Sequence, residues 1–339
     1  MTVLVTGGGG FVGSAVVRAL VARGERVRVL ARGTYPWLTD LGVDARRGDV
    51  VDAGAVLGAV RGCEAVVHVA ARAGVGGAPA AYHRVNVTGT LNVVRACTTA
   101  GVTRLVHTST PSVVHAGVSI RGGDESLPYA TRFDAPYPRT KAVAERAVLA
   151  ADGTPLAGGG ALRTVALRPH LVWGPGDTQL TARIVDRARR GRLVLVDGGR
   201  AVVDTTYVDD AAEAHLAALD RLGDPEPTCA GRAYFVTGGD PRPVAEVVSL
   251  ILDAYGLAPP VRSVPSALAV PAGLLVETAW SLLRRTDEPP LTRFTARQLA
   301  TDHWFDISAA RRDLGWSPRV PVHEGIERLR ADGGGQRSV

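Results

Sequence analysis

Lysine is almost missing from this chain: in 339 residues there is one, Lys141, and arginine supplies every other basic side chain. An amine kept at a single position points to a chemical need that a flat, permanently charged guanidinium does not meet. Cysteine is scarce too. Cys63, Cys97 and Cys229 are odd in number, far apart and without a CxxC partner, which argues against a disulfide framework and a zinc site and makes a reducing, cytoplasmic compartment the expectation. Long apolar runs are lacking. The best membrane candidate, Ser266 to Leu283, is interrupted by Pro271 and Glu277 and is too short in its unbroken part to span a bilayer, although it suits peripheral contact with a membrane surface or the wall of an apolar tunnel. The start, Val3-Leu4-Val5 and then a glycine loop, has no basic n-region or cleavage site, so no signal peptide is expected. The net charge of +6 and pI near 9.6 do not make a nucleic-acid surface, because no basic run interleaves with aromatics and no zinc or helix-turn-helix signature occurs. An anionic cofactor or an acidic, lipid-like substrate fits that basicity.

What is present is 46% hydrophobic, enough for a large core. Short Val-rich runs at 2–6, 26–30, 43–46, 64–69, 103–108 and 163–168 alternate with helical patterns near 11–23, 52–60, 81–100 and 137–150. That alternation predicts an α/β fold, a Rossmann-like doubly wound parallel sheet. Gly24, Gly62 and Gly101 stand as C-terminal helix stops. Residues 1–170 are expected to form the nucleotide-binding domain, with later segments returning to it. Residues 171–331, with helices near 209–222, 243–255, 267–284 and 291–301, are expected to form mainly a smaller C-terminal substrate-binding cap, and 332–339 a disordered tail.

After the first strand comes Thr6-Gly7-Gly8-Gly9-Gly10-Phe11-Val12-Gly13 and an apolar helix pattern. Strand, glycine loop and helix in that order predict a dinucleotide site: Gly7, Gly10 and Gly13 allow the tight turn, close pyrophosphate approach and helix-on-strand packing, with Phe11 and Val12 at the helix N-terminus. The second strand ends in Ala31-Arg32, where an acid for the ribose 2′-hydroxyl would stand; Arg32 suits a 2′-phosphate, so NADP(H) is favoured over NAD(H). Asp49, before Val50, is placed to accept from the adenine amino group, or else to cap a helix.

Tyr137 precedes Lys141 by four residues in Tyr137-Pro138-Arg139-Thr140-Lys141. Pro138 is tolerated only in a first turn, so phenol and amine should project together from a helix N-terminus, the phenol as a candidate acid. Strand five ends in Thr108-Ser109-Thr110-Pro111-Ser112, hydroxyls at the carboxyl edge of the sheet, where ligands bind. With the glycine loop, Gly48-Asp49-Val50, His68-Val69-Ala70-Ala71 and Asn86-Val87-Thr88-Gly89-Thr90 in the same order, the chain resembles the extended short-chain dehydrogenase/reductase superfamily. Within it, Glu125-Ser126-Leu127-Pro128-Tyr129, Leu167 to Asp177, Thr205 to Asp210 and Glu288 to Phe294 resemble the 3β-hydroxysteroid dehydrogenase group, and there the bacterial 2-alkyl-3-oxoalkanoate reductases.

The resemblance implies that Thr110 holds the substrate oxygen, ahead of Ser109 and Ser112, that Tyr137 donates the proton, and that Lys141 bonds the nicotinamide ribose. The ammonium of Lys141 and an oxidised nicotinamide are expected to bring the phenol toward neutrality. Ala70 joins the cofactor set, and Asn86 is structural or positions Lys141 through water. His170 and Gln179, after strand six, are candidates for binding substrate, and Leu268 to Val276 with Trp280 for its apolar wall. The expected reaction interconverts a ketone and a secondary alcohol on a lipid-like substrate, a β-keto acid or a 3-ketosterol, without a metal. The rival enzyme is a nucleotide-sugar epimerase or dehydratase with Arg183, Arg192 and Arg200 as its diphosphate clamp; the rival of another class is a nonenzymatic NADP sensor. A homodimer is a family-level expectation.

Overall fold

The Val-rich runs become strands because β-branched side chains suit a pleat buried on both faces. In the computed structural model, which describes residues 1–74, 76–283, 285 and 289–335, they form one seven-stranded parallel sheet. Its strands are β1 (Thr2–Thr6), β2 (Arg26–Ala31), β3 (Asp44–Arg47), β4 (Ala65–His68), β5 (Arg104–Thr108), β6 (Arg163–Pro169) and β7 (Arg232–Val236). They stand in the order β7-β6-β5-β4-β1-β2-β3, every neighbouring pair parallel. The winding reverses between β1 and β4, which opens a crevice at their carboxyl ends.

Ten helices carry the argument: α1 (Phe11–Ala22), α2 (Ala53–Val60), α3 (Gly89–Ala100), α4 (Pro136–Ala150), α5 (Thr181–Arg189), α6 (Val208–Arg221), α7 (Val244–Ala254), α8 (Ser266–Leu282), α9 (Arg293–Ala300) and α10 (Val322–Gly335). Strand alternation divides the core in two: Val3 and Val5 meet α1 and α6 on one face, while Leu4 meets α2 and α3 on the other. Each such buried aliphatic side chain contributes about 1.5–3 kcal/mol. Gly101 ends α3 at φ +75°, a left-handed turn that a side chain would strain.

From Leu171 onward the chain crosses the sequence-based domain boundary more than once. Helix α6 and strand β7 return to the large sheet; β7, a short Tyr-Phe stretch inside the expected cap, is a strand the sequence reading omitted. Much of the remainder, α5, α7, α8, α9 and the strands 202–203, 242–243 and 303–305, which form a four-stranded sheet with 120–123 from the first part of the chain, covers the carboxyl edge. Residues 332–335, expected to begin a disordered tail, complete α10. Arg284, Glu288 and 336–339 lie outside the described residues. Among the described residues no helix is long and apolar enough to cross a membrane.

Candidate active site

The glycine loop joins β1 to α1 in a turn packed too closely for side chains. A Cβ on Gly7, at φ +72°, would sit 2.8 Å from the Ala70 backbone, and one on Gly13 would strike the Gly7 carbonyl. Gly10 caps α1 with no side-chain bond and no acid in the first turn, so the N–H groups of Phe11, Val12 and Gly13 face outward as an anion cradle. The Val50 side chain is buried, its carbonyl taken by Asn92. Asp49 does not cap α2, since Asp52 does, at 2.8 and 3.1 Å from the Gly54 and Ala55 N–H groups. One Asp49 oxygen accepts from Val51 N–H at 3.2 Å, and the other has no partner among the described residues. Arg32 is exposed beyond β2, and Arg47, which the sequence reading missed, donates to the Arg32 carbonyl at 3.2 Å. Two guanidiniums thus stand where an acid would select a 2′-hydroxyl. This donor set fits a nicotinamide dinucleotide.

Pro136, Tyr137 and Pro138 are the first three residues of α4, a start whose missing N–H groups cost the helix nothing. Lys141, one turn on, is 2% exposed; its Nζ donates to the Thr108 carbonyl at 2.6 Å and lies 3.2 Å from Nε2 of His107. Burial pushes Lys141 down to about 8, against the raising effect of Glu145. Burial also holds His107 far below the usual imidazole range, so its Nε2 accepts and its Nδ1, without a partner among the described residues, carries the proton. Two of the three ammonium donors are fixed and one remains. His107 is a positioning residue the sequence reading passed over; the visible signal was an imidazole directly after the apolar pair Leu105-Val106 of a central strand.

The phenol departs from expectation. Burial pushes Tyr137 up to about 12, and a hydrogen bond with Thr110 acts in the opposite sense but does not win. Lys141, with two of its protons given to β5, is not among the groups that shift the phenol here. Thr110 and Ser112 both line the cavity beside Tyr137, with Thr110 Oγ1 3.3 Å from Ser112 Oγ. Ser109 Oγ is buried, has no partner among the described residues and does not line it.

Asn86 sits in a π-helical turn, His83–Thr88, ahead of α3. Its amide clamps both main-chain groups of Arg72, at 2.7 and 3.1 Å, and donates to Thr140 at 3.0 Å, holding the helix that carries Lys141. Thr90 donates to the Asn86 carbonyl at 2.6 Å and so accepts from His68 Nε2 at 2.9 Å; His68 Nδ1 then accepts from Thr6 at 2.7 Å. A buried chain of four residues joins the glycine loop to the catalytic helix. Behind it, Glu145 takes Arg168 at 2.7 Å and Tyr129 at 2.6 Å.

A cavity of about 370 Å³ lies between the carboxyl edge and the cap. Thr110, Ser112, Tyr137, His170 and Gln179 line it, so the sequence-based site residues of strands five and six converge. Its wall is Leu180, Ile184, Leu195, Val247, Phe294 and other apolar side chains of α5, α7 and α9. Helix α8 contributes none, which corrects the expectation that Leu268 to Val276 and Trp280 form that wall. His170 is 5% exposed and pairs with His303, Nε2 to Nδ1 at 3.0 Å; the Gln298 carbonyl fixes the His303 proton on Nε2, so His170 donates. Burial holds both rings below the usual imidazole range, and His170 Nδ1 has no partner among the described residues. Of the three arginines named for a diphosphate clamp, Arg183 lines the cavity and Arg192 and Arg200 do not.

Comparison with known proteins agrees with this geometry. The family model of the 3-beta hydroxysteroid dehydrogenase/isomerase family matches residues 4–266. The chain is 49% identical over 333 residues to the 2-alkyl-3-oxoalkanoate reductase of Stenotrophomonas maltophilia, covering 98% of this chain and 99% of that one. It is 36% identical over 335 residues to a 3 beta-hydroxysteroid dehydrogenase/Delta 5-->4-isomerase of Mycobacterium tuberculosis, covering 96% and 88%. Among solved structures, MoeE5 in complex with UDP-glucose and NAD superposes with a TM-score of 0.74 at 26% identity, over 100% of both chains. The chain belongs to the 3-beta hydroxysteroid dehydrogenase/isomerase family and is an oxidoreductase of the CH–OH class.

Proposed function

We propose that this enzyme reduces the keto group of a β-keto acid on a long alkyl chain, of 2-alkyl-3-oxoalkanoate type, with NADPH. The observation that carries the reading is the cavity: hydroxyls of Thr110, Ser112 and Tyr137 at one part of a space walled mainly by apolar side chains, with His170, Gln179, Arg183 and Arg187 among its few other polar members. Such a lining offers little to the hydroxyls of a sugar nucleotide and much to methylenes, each worth about 0.8 kcal/mol when buried. NADPH is favoured over NADH by Arg32 and Arg47, which suit a 2′-phosphate.

The cofactor supplies the hydride when bound. Phe11, Val12 and Gly13 hold its pyrophosphate, Asp49 and the Val50 N–H its adenine, Ala70 the floor near the loop, and Lys141 its ribose through the remaining N–H. Thr110 hydrogen-bonds the substrate oxygen and steadies the phenol of Tyr137, which gives its proton to that oxygen as negative charge grows there. A phenol pushed up to about 12 is protonated throughout the neutral range, as a proton donor must be. The side-chain amide of Gln179 binds the acid end of the substrate, while His170, whose one proton goes to His303, offers it only the acceptor Nδ1.

Ile184→Trp tests the cavity reading by filling its wall. KM for a long-chain 2-alkyl-3-oxoalkanoate should rise at least about tenfold, with little change for a short-chain ketone. An equal effect on both substrates would remove the alkyl chain from this cavity.

A further inference from the structure

Helix α8 is amphipathic the wrong way round for a protein surface in water. Its outward residues include Leu268, Leu274, Leu275 and Leu282, exposed by 64%, 44%, 72% and 79%, and no charged side chain is among the exposed residues from 266 to 282. Leu268, Leu275 and Leu282 fall at seven-residue spacing and so share one stripe. Thr278, exposed with them, spends its hydroxyl on the Leu274 carbonyl at 2.8 Å. The charged side chain of the helix is turned inward instead: Glu277 accepts from the Arg293 N–H at 2.8 Å.

This orientation is fixed. Gly273 lies so close to α9 that a Cβ there would come within 2.6 Å of the Thr292 backbone, and Ala269 beside it is buried. Rotating the helix to bury its leucines would drive side chains into that contact and strand Glu277 in solvent. The exposed apolar surface continues through Val261, 99% exposed, and Val264. Around it stand cations. Arg262 donates to the Gly191 carbonyl at 3.4 Å, bringing the Arg192 loop alongside, and Arg189 ends the neighbouring helix α5. Arg189, Arg192 and Arg262 make no ion pair among the described residues; of the nearby acids, Asp186 pairs with Arg190 and Asp197 accepts from Ser266 N–H. At the far end Arg285 lies 4.6 Å over the ring of half-buried Trp280.

We propose that this face of the cap docks on an anionic lipid surface, with the leucine stripe of α8 in the acyl boundary and Arg189, Arg192 and Arg262 on the headgroups. A leucine row in water bordered by unpaired guanidiniums meets both halves of its complement in such a surface. The location also serves a water-insoluble ligand. Helix α9, packed on α8, and the segment 193–195, which runs into the pairing of Leu195 and Val196 with Ser263 and Val264, both line the cavity. Docking requires nothing of the reaction proposed above.

The test is co-sedimentation of the full chain with vesicles of phosphatidylglycerol and phosphatidylcholine, against phosphatidylcholine alone. The wild type should pellet with the anionic vesicles and be released by added salt. Leu268→Asp/Leu275→Asp should weaken partitioning at least about tenfold. Arg189→Glu/Arg192→Glu/Arg262→Glu should abolish the preference for anionic lipid. Unchanged NADPH binding by the leucine variant shows that it has folded. No pelleting of the wild type, or equal pelleting of the leucine variant, overturns the proposal. So does a wild-type dimer in light scattering that the leucine variant splits without any vesicle binding, which gives the face to a second copy of the chain.

Discussion

At the scale of single residues, Lys141 is costly to the fold. Its pKa is pushed from 10.5 to about 8 by burial, so the folded protein holds the ammonium less readily than the unfolded chain does. A base depressed on folding contributes stability that is fully present above the unfolded value and is lost as pH falls toward the folded one. The stability of wild type relative to Lys141→Met should therefore rise between about pH 8 and 10.5, by up to about 3 kcal/mol. Denaturant melts of the two proteins across that range would show it, and parallel curves would mean the amine is solvated. The sequence made this residue conspicuous through its isolation and its distance from Tyr137. It did not show His107 or the Thr108 carbonyl holding the amine, because those contacts cross from β5 to α4 and depend on register. For the same reason it did not show how strongly burial raises the Tyr137 phenol: desolvation is a property of the packed site, and no local pattern reports it.

Elements were more legible than their orientations. Strand, glycine loop and helix follow from Thr6 to Gly13 because only glycine tolerates the close approaches there. Gly13→Ala should accordingly weaken NADPH binding by at least about tenfold, since the new methyl collides with the Gly7 carbonyl and shifts the cradle. Fluorescence titration measures it; unchanged affinity would place the cofactor elsewhere. Helix α8 shows the limit. Its apolar composition was plain, and a pocket wall was the natural reading, but which way a helix faces is settled by partners far along the chain, here Gly273 against Thr292 and Glu277 against Arg293. The π turn at Asn86 is similar: the motif was visible, and the clamp on Arg72 and Thr140 was not.

Across the whole molecule, the doubly wound sheet was readable from alternation alone, and the returning β7 was not, being short and embedded among cap segments. What the fold adds is a set of six buried imidazoles. His68 is pushed down to about 3, His115 and His215 to about 4, and His107, His170 and His303 are lowered as well, each chiefly by burial. Below about pH 6.5 the unfolded chain takes up these protons and the folded one does not, so stability falls with acid by up to about 1.4 kcal/mol per pH unit for each ring. Against a usual total of about 5–15 kcal/mol, cooperative unfolding is expected near pH 5, well above the carboxylate range. A midpoint below about pH 4 in a circular-dichroism titration would show the histidines to be hydrated.

The account stands or falls on the chemistry at Tyr137. The most direct measurement is oxidation of NADPH and NADH by the purified protein, and by Tyr137→Phe, with a 2-alkyl-3-oxoalkanoate, a 3-ketosteroid and a UDP-hexose. The account predicts NADPH consumption with the 2-alkyl-3-oxoalkanoate and loss of turnover, with NADPH still bound, in Tyr137→Phe. Silence on both ketones with isomerisation of the sugar and no net change in cofactor, or a Tyr137→Phe enzyme as fast as wild type, would contradict it.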